Sequence, residues 1–145
     1  MTLTSENLIG YEAALSGAAC YVVPDAGYLR VQGDDQQAFI QRQTTNDARQ
    51  IAPGQTQQTV LTSATARILD VWRLVPEPDA IGVITLAGRG TRTARYLQSR
   101  IFFMDKVTVT DASAEFVQID VFGPQAADAL RRAGVEPPAP DVLIE

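Results

Sequence analysis

The chain contains no histidine. That removes the commonest general base near neutral pH and the commonest protein ligand for transition metals. Cys20 is its one cysteine and Lys106 its one lysine. A single cysteine closes no disulfide within the chain and, without histidine, builds no cysteine–histidine cage, so no metal site is expected. Positive charge is scarce as well: 12 Lys and Arg stand against 17 Asp and Glu, a formal net charge of −5. Nucleic-acid-binding surfaces ordinarily show a basic excess, so nucleic acid is not an expected partner. No apolar run approaches membrane-spanning length, and the opening "MTLTSENLIGYEAALSG" has neither a basic start nor a continuous apolar stretch. It does not read as a signal peptide. The expectation is a cytoplasmic protein with no membrane partner.

What remains is ordinary for a globular fold: 145 residues, 46% hydrophobic and 20% charged, enough for one domain with a real core. Residues 8–18 fit a short helix that ends near Gly17, and "CYVV" fits a brief extended piece. In "GYLRVQ" (27–32), Leu29 and Val31 alternate with Tyr28 and Arg30, the period of a strand. A helix follows over roughly 34–44, with Asp34 as its expected cap and Gln37 completing a capping box. Residues 56–63 and 67–75 read as a hairpin around "SATA", and "AIGVITLA" (80–87) as a further strand. Ala94, Leu97 and Ile101 recur at helical spacing within 90–101. "KVTVT" and "EFVQIDVF" are strands. "GPQAADALRRAG" is a helix over 124–133, opened by Pro124 and closed by Gly134. Strands joined through hairpins, with helices between them, predict an α+β fold: a mainly antiparallel sheet with helices packed on it. Residues 1–135 are expected to form that unit. Residues 136–145 read as a Pro-rich linker and the start of a next element, in which Val142, Leu143 and Ile144 lack their packing partners and fray or dock against a second copy.

Two places resist a purely structural account. On the strand 67–75, strict alternation puts Asp70 on one face with Ile68, Trp72 and Leu74. A carboxylate there is either on an edge strand in water or held in a cleft to meet a ligand. The other is Thr44-Thr45-Asn46-Asp47, four polar residues directly after a predicted helix. Asn and Asp suit a helix end, since they tolerate left-handed backbone and bond nearby amides.

The order of these pieces resembles a known family. "DAGYLRVQGDDQQAFIQRQTTND" followed by "VLTSATARILDVWRL" is similar to the folate-binding region of the glycine-cleavage T-protein (aminomethyltransferase) and its YgfZ-type relatives, the folate-dependent iron–sulfur maintenance proteins. The shared pieces are Gly33-Asp34-Asp35, Thr45-Asn46-Asp47, Asp70 on its strand, and Gly123-Pro124 with Ala126. The resemblance runs from about residue 8 to residue 135. It implies a tetrahydrofolate-binding module related to aminomethyl transfer or iron–sulfur protein maintenance. Asp70 would be the catalytic carboxylate, and Asp70, Trp72, Asn46 and Asp47 the cofactor-binding set. Within that set the "TND" turn would be a structural corner that shapes the cleft.

The departures are as specific. T-proteins carry a Gly-Gly pair and two adjacent aspartates where this chain has Thr65-Ala66 and Leu69-Asp70. An aromatic residue expected on the preceding strand is a glutamine, Gln57. The Lys-Gly-Cys-Tyr-x-Gly-Glu-like motif of the YgfZ branch is absent, and Cys20 lies in another context. Family members are about twice this length or more, so the unit reads as incomplete, with its missing C-terminal half or a second copy as a partner. The other function class is a non-catalytic structural or interaction module, a truncated or degenerate member of the family.

Overall fold

The computed structural model describes residues 5–140 and residue 142. In chain order they form α1 (Ser5–Ser16), β1 (Ala19–Val22), β2 (Gly27–Gln32), α2 (Gln36–Gln43), β3 (Gln57–Thr62), β4 (Ile68–Pro76), β5 (Ala80–Thr85), α3 (Gly90–Gln98), β6 (Thr108–Asp111), β7 (Ile119–Phe122) and α4 (Ala126–Arg132). The α+β expectation holds, and every strand pair is antiparallel. The strands divide into two sheets, however: a five-stranded one in the order β3-β4-β5-β2-β6 and a two-stranded one of β1 with β7. Local periodicity marks β1 and β7 as strands but carries no information about partners so far apart in the chain.

The chain forms two compact units, residues 1–23 with 118–139 and residues 24–117 with 140–145. The first holds α1, β1, β7 and α4, tied by the Gln125 amide donating to the Gly17 carbonyl at 2.9 Å. Pro124 lies in the turn before α4 rather than inside its first turn, and Gly134 at φ +81° ends that helix as expected.

The second unit holds the main core. Leu29 and Val31 from β2, Leu61 from β3, Trp72 and Leu74 from β4, and Val83 from β5 are closed to solvent. Phe39 and Ile40 of α2, with Ala94 and Leu97 of α3, pack into the same cluster. Burying each such side chain contributes roughly 1.5–3 kcal/mol. The reverse face of β2 is polar in a specific way. Tyr28 stacks on Phe116 at 4.0 Å and its hydroxyl bonds Glu77, while Arg30 bridges Glu77 at 3.2 Å and Glu115 at 2.6 Å. Burial and the Glu77 carboxylate push the Tyr28 phenol above its ordinary value.

Three local expectations are corrected. The residue before α2 is Asp35, and no side-chain capping bond forms there. Gly33, at φ +116°, turns the chain so that a Cβ would meet the Lys106 carbonyl at 2.0 Å. The close approach lets Asp35 accept from the Lys106 amide at 3.0 Å and leaves Asp34 paired with the Lys106 ammonium at 3.1 Å. A long-range contact has taken the carboxylates that local reasoning assigned to the cap. Second, a register shift at Leu61/Thr62 pairs Leu61 with Asp70 and Thr62 with Ile68. Ile68 is therefore 69% exposed, and Asp70 does not share a packed face with it. Third, Val142 forms an isolated antiparallel bridge with Gln55 of the same chain, whereas Leu143 and Ile144 lie outside the described residues.

In the β3–β4 turn, Ala66 sits at φ +58°. A Cβ there crowds the following carbonyl, at about 1–2 kcal/mol. The resembled family carries glycine at this position. Ala66→Gly is expected to raise unfolding stability by about 1 kcal/mol in urea titration. An unchanged or lower midpoint would show that the turn holds no such strain.

Candidate functional site

The hairpin β3–β4 and helix α3 enclose a groove within the second unit. Leu61 and Leu69 form one wall, and Arg92, Thr93 and Tyr96 form the other, around a cavity of about 260 Å³. A second cavity of about 300 Å³ continues it past Ser63, Tyr96 and Arg100 to Arg42 and Phe102. Helical spacing explains the second wall: residues 89, 92, 93, 96 and 100 fall along one stripe of α3 and its exit turn. On the inward-facing side next to this stripe, Ala94 and Leu97 enter the core beside Thr93.

Asp70 lies directly behind this groove. The question of water or fold is decided: β4 is an interior strand and Asp70 is 1% exposed. Its Oδ2 accepts the Thr93 hydroxyl at 2.7 Å, and its Oδ1 accepts the Val71 amide at 2.9 Å and the Leu86 amide at 3.2 Å. Three donors match the acceptor-only inventory of a carboxylate and offset the desolvation of burying it. Thr93 is thus shared, its hydroxyl on Asp70 and its residue in the groove wall. The bulge is what makes this possible, since it brings Leu69, not Asp70, to the groove.

The other residues singled out in the sequence fall elsewhere. Trp72 is 1% exposed in the core, opposite Thr59. The Thr44–Asp47 segment is a hydrogen-bonded corner. The Thr44 hydroxyl donates to the Ile40 carbonyl at 3.0 Å, the Thr45 amide to the Val60 carbonyl at 3.1 Å, and the Asn46 amide to the Thr59 hydroxyl at 3.2 Å. The Asp47 carboxylate accepts from the Arg49 amide at 3.2 Å and its Nε at 2.7 Å, and the Arg49 side chain holds it below the usual carboxylate range. Gln57 donates to the Asp47 carbonyl at 3.2 Å. Each unusual residue type in "TTND" thus has a local partner, and neither Asn46 nor Asp47 lines the groove.

Sequence reasoning missed the arginine stripe. The signal was present, as Arg89, Arg92 and Arg100 around Tyr96 at helical intervals. A further cavity, about 360 Å³, adjoins Gly27, Gly90 and Ser113. Its hydroxyls are already engaged, Thr91 with Asp111 at 2.8 Å and Ser113 with Asp111 at 2.5 Å. Among the described residues no cluster of Cys, Asp and Glu could hold a metal ion, and no helix is long and apolar enough to cross a membrane.

The decisive comparison is with the GCVT N-terminal domain, whose family model matches residues 11–137. The chain belongs to the GCVT N-terminal domain family. It is an aminomethyltransferase-like N-terminal domain. A probable aminomethyltransferase of Haloarcula marismortui is 37% identical over 128 residues, covering 84% of this chain and 35% of that protein. An aminomethyltransferase of Parafrankia sp. is 30% identical over 130 residues, covering 88% and 35%. The crystal structure of glycine cleavage system aminomethyltransferase T from Bartonella henselae superposes with a TM-score of 0.79 at 24% identity, over 94% of this chain and 37% of that one. This GCVT domain therefore spans about a third of the length of the relatives it matches.

Two measurements probe the site. Thr93→Val keeps the shape and removes one donor from the buried Asp70 carboxylate. It is expected to destabilise the fold by about 1–3 kcal/mol, read from urea unfolding followed by Trp72 fluorescence. A change below about 0.5 kcal/mol would mean that the bond contributes little. At the far end of the groove, Asp105 accepts the Phe102 amide at 2.9 Å and Arg42 at 2.7 Å. The Phe102 amide and Arg42 hold the Asp105 carboxyl below its ordinary value. A depressed folded-state pKa gives stability present above the ordinary aspartate range and lost as pH falls through the depressed value. The 102–105 turn should stay closed at neutral pH and open only in acid below that range. A carbon-13 titration placing Asp105 at or above the ordinary value would contradict this.

Proposed function

We propose that this domain is a tetrahydrofolate-binding module related to one-carbon, aminomethyl transfer. The observation that carries the reading is the groove itself. It pairs leucine and tyrosine walls with guanidinium groups, a donor set that suits a flat heteroaromatic ligand bearing carboxylates. Tetrahydrofolate, when bound, would supply the nitrogens that carry the one-carbon unit. Leu61, Leu69 and Tyr96 would exclude water from its rings. Asp70 is a positioning residue here. It fixes the Thr93 hydroxyl and, through the Leu86 amide, the strand end that leads into α3. Asn46 and Asp47 support the cleft from the corner, and Trp72 supports it from the core. A role in iron–sulfur protein maintenance would use the same ligand.

One observation favours a second reading. Leu69 stands in the groove wall, where T-proteins have the first of two adjacent aspartates. A carboxylate facing the ligand can accept a proton, and a leucine cannot. The alternative is a non-catalytic member of the family, acting as a structural or interaction module.

Titration with tetrahydrofolate, followed by the fluorescence of the lone Trp72, separates the two. Saturable binding is expected, weakened by ~1.5–3 kcal/mol in Asp70→Asn, with thermal melting measured beside it to separate affinity from folding. Equal binding and transfer by the Asn variant would remove Asp70 from the site. No binding by the wild type would favour the non-catalytic reading.

A further inference from the structure

We propose that the turn over residues 102–105 is a docking point for a second copy of this chain, two such turns packing together about a two-fold axis. The inference goes beyond the ligand reading and does not depend on it.

The turn presents apolar surface in a fixed shape. Phe102, Phe103 and Met104 are 64%, 98% and 70% exposed, and Phe103 is the most exposed large apolar side chain among the described residues. Single apolar residues on a surface are ordinary, whereas a contiguous run marks an interaction site or an aggregation liability. This run is not a loose loop. The Asp105 amide donates to the Phe102 carbonyl at 2.9 Å, and the Asp105 carboxylate accepts the Phe102 amide at 2.9 Å and Arg42 at 2.7 Å. The Arg42 guanidinium carbon also lies 5.8 Å from the Phe102 ring centroid. Phe103 and Met104 are thereby held at the apex. A surface already ordered loses little conformational entropy when it is covered.

Charge selects the occupant. Asp105 neutralises Arg42, so the flank entering the turn keeps one uncompensated cation, Arg100. Its Nη2 donates to the Tyr96 hydroxyl at 3.1 Å, and it meets no carboxylate among the described residues. The flank leaving the turn holds Lys106 against Asp34 at 3.1 Å, with Asp35 accepting the Lys106 amide at 3.0 Å. One ammonium against two carboxylates makes that flank acidic. A two-fold axis through the contact sets the cationic flank of each copy against the acidic flank of the other, an isologous and self-complementary pairing. An anionic lipid surface would instead call for a ring of unpaired cations, and the chain carries a net charge of −5.

Area sets the strength. At about 200 Å² for a side chain of this size, the three exposures amount to roughly 450 Å² per copy and ~900 Å² in total. A stable interface buries about 1,200 Å² or more, so the dimer is a weak one, with a dissociation constant on the order of 100 μM.

The test is sedimentation equilibrium of the whole chain from ~10 μM to ~1 mM, where a monomer at the low end and a mostly dimeric chain at the high end are expected. Phe103→Ser with Met104→Ser should weaken association about tenfold or more. Both positions face solvent, so the thermal midpoint of that variant should stay unchanged. Tyr21→Thr with Val22→Thr, which trims the exposed ribbon of the other unit, should leave association as it is. Reversing one flank, by Arg100→Glu or by Asp34→Arg, should weaken it. Reversing both in one chain should restore it. A chain that stays monomeric at the highest concentration overturns the proposal. So does a turn variant that dimerises like the wild type, a ribbon variant that abolishes the dimer, or a double reversal that restores nothing. Binding to phosphatidylcholine–phosphatidylserine vesicles, lost in the turn variant while the wild type stays monomeric in solution, would assign the turn to a lipid surface and overturn the second copy.

Discussion

The second unit is organised around a carboxylate out of water. Asp70 sits in an interior strand, and three donors from three places in the sequence converge on it: Val71 beside it, Leu86 just past the next strand, and Thr93 in helix α3. A buried carboxylate without those donors would cost several kcal/mol, so the fold closes properly only when β4, the end of β5 and α3 meet. That requirement sets where α3 lies against the hairpin. The groove between them is a consequence, because the helix face that delivers Thr93 inward also carries Arg89, Arg92 and Tyr96 along its edge.

The same strand shows how one irregularity reassigns roles. Under strict alternation Ile68, Asp70 and Trp72 would share a buried face. The register shift near Leu61 exposes Ile68 and brings Leu69 to the groove, leaving Asp70 and Trp72 inside. The substitutions relative to the T-protein pattern gather around it. Ala66 occupies left-handed backbone in the turn, and Leu69 makes the wall apolar beside the arginines. An apolar wall and a cationic edge favour holding an anionic, partly aromatic ligand over exchanging protons with it. That contrast separates binding from transfer as possible roles within one family architecture.

The "TTND" corner is a different kind of constraint. Its hydroxyls, amides and carboxylate are consumed locally, by the Ile40 carbonyl, by β3 and by Arg49. It secures the passage from α2 to β3, which keeps Leu61 in register with Asp70. Its contribution to the groove is through position rather than contact.

Taken alone, the sequence determined the identity and order of the elements. Alternating Leu29 and Val31, the turn at "SATA", and Ala94 with Leu97 at helical spacing are local signals, and local backbone physics is enough to read them. It also determined the family resemblance and the oddity of a carboxylate on an apolar strand. Tertiary structure alone decided which strands pair, that Asp34 and Asp35 serve Lys106 rather than a helix cap, and that Asp70 faces inward. Each of those depends on residues tens of positions apart meeting in space. A bulge one residue long inverts every face assignment beyond it, and no periodicity in a single strand announces it. The arginine stripe lies between the two cases: its spacing is visible in the sequence, but only the hairpin opposite turns it into a groove.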